Sequence, residues 1–167
     1  MNAFIRRTAR PLMVALIAGS AAVAGAQTPA GPQQVFERYV AAVNASDMAA
    51  VSALVSEQVA RSDYVRCTPE MDNKACLIAY VKETVVEPQG RIKTLKTEVL
   101  GDTVHAQLEV SSKTARDFGL ERIKGTDVVQ ARDGLIVAFH FVPEFADDQT
   151  ATFFGHLGIG PRAAQKP

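Results

Sequence analysis

The sequence predicts an α+β domain in which three helices precede a four-stranded antiparallel meander. Three observations carry this. Apolar residues recur at helical spacing up to about Val86. From Ile92 onward they alternate at a period of two, with Gly and Asp at the breaks. Finally, 167 residues of which 47% are hydrophobic suit one compact domain with a single core.

The first helix lies in PQQVFERYVAAVNASD, where Val35, Phe36, Tyr39, Val40 and Val43 form one stripe and Asn44-Ala45-Ser46 ends it. Asp47 can cap a second helix, MAAVSALVSEQV, with Val51, Leu54 and Val55 on one face. Residues 59–67, VARSDYVRC, read as extended. A third helix is expected from Met71 to about Val86, closed by Glu87-Pro88 and Gly90. Four strands follow at Ile92–Leu100, Thr103–Ala115, Leu120–Arg132 and Leu135–Val142. They are separated by Gly101-Asp102, a polar turn at Arg116–Gly119, and Asp133-Gly134, a strong hairpin signal. Val104, Ala106, Leu108 and Val110 alternate with His105, Gln107 and Glu109, so one face is buried and the other wet.

The first residues stand apart from this domain. Arg6, Arg7 and Arg10 precede a short apolar run, and Ala24-Gly25-Ala26 supplies a small-x-small cleavage pattern before Gln27. The apolar part is well short of the ~20 residues that cross a bilayer. The expected organisation is a signal peptide at 1–26, a linker at 27–33, the domain at 34–160 and a tail at 161–167, which places the mature chain in the periplasm or outside the cell. Three of the 18 basic residues leave with the leader, so 15 basic residues face 18 acidic ones, a net charge of −3. A mildly acidic chain without a basic patch argues against a nucleic-acid partner. No membrane contact is expected after cleavage. In an oxidising compartment Cys67 and Cys76 are expected to form one disulfide.

The segment GTDVVQARDGLIVAFHFV (125–142) raises the question of chemistry, because Asp127 sits in a run otherwise built for burial. At period two it shares a face with Ile123 and Val129, where an acid is costly unless satisfied. It is either a structural hydrogen-bonding group or one kept for acid–base work. Tyr39, on the helical stripe, is either core or pocket wall. His140 is either a pocket base or a hydrogen-bonded core histidine. His105 reads as exposed, and Glu144, Asp147 and Asp148 read as a solvated turn. The three histidines are too scattered for a metal site, and none is expected.

The stretches RYVAAVNASDMAAVSALV and GTDVVQARDGLIVAFHF, with the tail ADDQTATFFGHLGIGP, resemble the SnoaL-like polyketide cyclases and ketosteroid isomerases of the nuclear transport factor 2-like superfamily. The resemblance covers about residues 33–160. It implies a cone-shaped fold with a pocket between the helices and the concave sheet face, and a homodimer through the convex face. It also implies cofactor-free chemistry, with Asp63 as proton-abstracting base and with Tyr39 and a neutral Asp127 as donors to an enolate. A neutral aspartic acid of this kind is a known device of the ketosteroid isomerases. On this reading the chain is an exported domain whose apolar pocket binds a small apolar molecule or a protein partner. The alternative is an isomerase or cyclase acting on a ketone.

Overall fold

The computed structural model describes residues 30–60 and 67–160. Helix α1, Pro32–Asn44, opens with proline at a position whose N–H needs no partner, so it begins within the stretch expected to be linker. It buries Val35, Phe36, Tyr39, Ala42 and Val43. Helix α2, Met48–Leu54, is capped as expected by Asp47, whose carboxylate accepts the Ala50 N–H at 2.9 Å. It is shorter than its apolar pattern suggests. At Val55 the chain becomes extended and bridges in parallel to Ile136. Ser56 and Ala60 then donate to the carbonyls of Ile136 and Val137, so strand pairing overrides helical propensity there. Of the expected extended run 59–67, residues 61–66 lie outside the described residues.

Helix α3, Asn73–Val81, is capped by Asp72 and continues into a π-helical turn, Lys82–Val86. Within that turn the Thr84 hydroxyl donates to the Tyr80 carbonyl at 2.7 Å. The strands are β1 (Arg91–Leu100), β2 (Thr103–Ser111), β3 (Ile123–Arg132) and β4 (Leu135–Pro143), antiparallel and in sequential order. Strands β2 and β3 are shorter than expected at the turn that joins them. The Ser112 hydroxyl accepts the Ala115 N–H and starts a one-turn helix α4, Lys113–Asp117, where the sequence read as strand and turn. The Asp133-Gly134 hairpin has positive φ at both residues, 52° and 79°, as a type I′ turn requires. Helix α5, Asp148–His156, completes the domain.

Two edge devices fix the sheet. Asp102, in the β1–β2 turn, accepts from Gln130 at 3.0 Å and from Arg132 at 2.7 Å, and these bonds hold its pKa down to about 2. Its contribution to stability is therefore present above pH 4 and is lost as the pH falls toward 2. At the other end, the Asn44 side chain donates to the Ile92 carbonyl at 2.9 Å and accepts the Ile92 N–H at 2.8 Å. One amide thus satisfies both backbone groups of an edge residue. Asn44→Ala is expected to destabilise the protein by about 2–3 kcal/mol, because it leaves two partly buried groups unpaired; urea denaturation with an unchanged slope checks this.

The inner sheet face is divided along its length. The row Val104, Val129 and Phe139 packs beneath α1 with Ile136 and Val43 in the core. The rows beyond it, through Asp127, Leu108 and Val110, face a hollow that Phe139 also borders.

Candidate ligand-binding cavity

The hollow is a cavity of about 860 Å³ between the inner face of β1–β4, the α3–π segment and α5. This lies in the usual size range of small-molecule sites. Its described lining is mostly apolar: Ile92, Leu108, Val110 and Ile123 from the strands, Val85 and Pro88 from the α3–β1 connection, and six aromatic residues. Polar groups are few. They come from Asp127, Glu83, Thr84, Ser112, Thr114, His140, Tyr39 and Tyr80.

Asp127 is the group that the surroundings perturb most. It shares the inner face of β3 with Gly125, Val129 and Ala131, and it pairs with Ala106 on one side and Phe141 on the other. Only 3% of it is exposed. Burial pushes its pKa from 3.8 up to about 8, and desolvation is the sole cause: no cation stands beside it among the described residues, and none of them hydrogen-bonds to the carboxyl. At neutral pH the group is mainly an uncharged acid. It carries an O–H that can donate into the cavity and a carbonyl that can accept.

Tyr39 lines the same cavity, 2% exposed, because the α1 stripe turns it inward. Its ring lies 5.6 Å from that of Phe139, and Tyr80 lies 6.2 Å from Phe139, so the three rings form one aromatic cluster. The structure therefore brings Tyr39 and Asp127 into one cavity. Asp63 lies outside the described residues.

His140 is among the residues that line the cavity. Strand β4 carries a bulge opposite Gln130 and Ala131 that reverses the alternation. Ile136 points inward before the bulge, and Phe139 and Phe141 point inward after it. His140 is exposed, alternates with those two along the strand, and sits at the cavity edge. His105 is half-buried and pairs with Val128, as His140 does, on the outer face.

The acidic turn before α5 is also not simply solvated. Asp147 caps the helix through Thr150 and pairs with Arg122 at 2.7 Å. Burial works to raise its pKa, but the Thr150 and Arg122 bonds outweigh this and hold it below the ordinary value. The clasp seats α5 on β3, and α5 then contributes Phe153 and Phe154 to the cavity wall, followed by Leu157 and Ile159. The sequence signal for this wall was the apolar pair inside an otherwise polar tail.

Cys67 and Cys76 form a disulfide, with Cα atoms 5.0 Å apart. Cys67 lies in irregular chain and Cys76 is buried in α3. The bridge thus joins α3 to the segment leading into it. Among the described residues, no group of His, Cys, Asp and Glu could hold a metal ion. None of the described helices is long and apolar enough to cross a membrane.

A family model described as the SnoaL-like domain matches residues 36–139. Solved structures with the same fold include the epoxide hydrolase/cyclase-like enzyme SalBIII of pyran ring formation in polyether salinomycin. It is 19% identical, with 70% of this chain and 92% of that one covered and a TM-score of 0.56. An NTF2-like protein from Cytophaga hutchinsonii is 11% identical, with 72% and 96% covered and a TM-score of 0.53. A Δ5-3-ketosteroid isomerase from Mycobacterium sp. is 16% identical, with 67% and 92% covered and a TM-score of 0.50. No curated protein sequence matches the chain.

Proposed function

The chain belongs to the SnoaL-like domain family, and we propose that it binds a small, largely apolar molecule in the cavity, with neutral Asp127 donating a hydrogen bond to an oxygen of that ligand. The observation that carries this reading is Asp127, a residue only 3% exposed whose carboxyl opens onto an 860 Å³ cavity lined by aromatic rings and takes no hydrogen bond from the described residues. A polar group so placed is expensive to bury unless something enters to pair with it. The disulfide and the leader pattern at 1–26 support export of the mature domain.

A second reading, cofactor-free isomerisation or cyclisation of a ketone, is favoured by Tyr39 lining the same cavity. Two donors aimed at one carbonyl oxygen would stabilise an enolate as a base removes the adjacent proton. Neighbours of this fold are a ketosteroid isomerase and a cyclase-like enzyme. Exchange of the methyl protons of 2-acetylnaphthalene in D₂O, lost in Asp127→Asn, would establish this chemistry, and its absence would leave binding alone.

The binding reading makes a pH prediction with a definite sign. Asp127 donates only while protonated, and its pKa is about 8. Affinity for 2-acetylnaphthalene, a neutral ketone that does not titrate in this range, should be flat below pH 7. By pH 9 it should have fallen about tenfold as the carboxylate forms. Isothermal titration calorimetry at pH 6 and pH 9 checks this. Asp127→Asn should bind the ketone equally well at both values. A wild-type affinity that does not change between them rejects Asp127 as the donor.

A further inference from the structure

We propose that Gly125 and Phe141 act together as the specificity element of this cavity, shaping it for a flat, unsaturated ring whose oxygen reaches Asp127. The proposal rests on the binding reading above and extends it to the class of ligand.

Gly125 lies two residues before Asp127 on the same inner face of β3. It is not among the glycines with positive φ, so its backbone does not demand glycine. A glycine inside a strand weakens it, and such positions mark a close approach by another group. Here that group is the Phe141 ring. A β-carbon at position 125 would overlap ring carbons Cε2 and Cζ of Phe141 and would stand 2.7 Å from the Val142 carbonyl oxygen.

The register gives the overlap its meaning. Phe141 is paired directly with Asp127, and Gly125 with Pro143. The ring therefore leans diagonally off its own partner and lies on the glycine, as aromatic side chains do when they cover a strand glycine. This sets an aromatic ring next to Asp127 on the cavity wall, over the glycine and not over its own strand partner. The plate continues into α5, where Phe154 stacks on Phe141 at 6.4 Å with 28° between the planes. Both residues line the cavity. Any side chain at position 125 would force the ring off the backbone and into the space next to the acid. A ligand that lies flat on this plate makes stacking contacts that a puckered ring of the same skeleton cannot make. Such contacts amount to a preference of roughly five- to tenfold.

The test compares 2-acetylnaphthalene with its decahydro counterpart, which has the same carbon skeleton and ketone but no flat face. Calorimetry on the full-length protein should show the flat ketone binding roughly five- to tenfold more tightly. In Phe141→Leu the ratio should fall below about threefold, while both ketones still bind and the loss of affinity between pH 6 and pH 9 persists. Gly125→Ala should lower the melting temperature and weaken both ketones. Since the bulk of the overlap is with the ring, at least half of the loss in melting temperature should be recovered when the same change is made in a Phe141→Ala background. An undiminished ratio in Phe141→Leu overturns the proposal, as does a Gly125→Ala penalty that is no smaller without the ring. A selectivity ratio that behaves as expected while affinity ignores pH would instead reject the Asp127 reading and leave the aromatic plate standing. Failure of the wild type to bind either ketone overturns both.

Discussion

Asp127→Asn is expected to stabilise the protein progressively as the pH rises from 4 to 8. In the unfolded chain the carboxyl loses its proton near pH 3.8, whereas in the folded chain it holds the proton to about pH 8. Below pH 3.8 both states are protonated and the acid carries no penalty. Between the two values the native state binds a proton that the unfolded state has released, so wild-type stability falls by about 1.4 kcal/mol for each pH unit. Above pH 8 both states are ionised and the penalty is constant. At pH 7 the loss relative to pH 4 amounts to about 4 kcal/mol, a large share of the 5–15 kcal/mol typical of a domain. Asparagine has nearly the same shape and no proton to lose, so this slope should vanish in the variant. Urea midpoints taken at each pH unit for both proteins check it. Every other titrating group is common to the two, and parallel curves would mean that Asp127 is ionised or solvated in the native state.

A penalty of this size bears on function. A leucine or asparagine on this face would relieve it, so the acid persists at a stability cost that its own packing does not repay. Groups held in that condition are characteristic of sites that use them. Asp102 shows the opposite arrangement: its partners depress its pKa, and its ionised form supports the fold above pH 4.

The parts of the fold that depend on local chemistry could be read along the chain. Asp47 caps α2, Asp133-Gly134 makes its hairpin, and the alternation of Val104 to Val110 puts those side chains inward. The burial of Asp127 followed from its strand neighbours in the same way. What could not be read were features set by partners distant in sequence. Helix α2 stops early because Val55 pairs with Ile136, 81 positions away. The bulge in β4 turns Phe139 and Phe141 inward out of step with Ile136, and a strict period of two cannot register an inserted residue. Gly125 read as one more small residue in a strand. Its role depends on a ring donated by the neighbouring strand, so only the paired register exposes it.

The disulfide should have the next largest effect. Cys67 and Cys76 are nine positions apart, and closing a loop of that size restricts the unfolded chain by about 2.5–3 kcal/mol. Within the loop, Asp72 caps α3, and the bridge holds the approach to that cap against the helix. One turn beyond Cys76 the same helix carries Tyr80 to the cavity wall, and it then leads into the π-helical turn bearing Glu83 and Thr84. Loosening the start of α3 therefore reaches the site. Reduction, or the double change Cys67→Ala and Cys76→Ala, should lower stability by about 3 kcal/mol and weaken ketone binding as well. Reduction is the cleaner comparison, because Cys76 is fully buried and its truncation adds a packing loss of its own. The measurement is urea denaturation with and without reductant, alongside a thiol titration that should find no reactive thiol in the native oxidised protein and two after reduction. Protein made in a reducing compartment should match the reduced sample, so an oxidising compartment would add this stabilisation to the fold. Equal urea midpoints for the oxidised and reduced chains would show that the bridge adds nothing to the native balance and would remove that link.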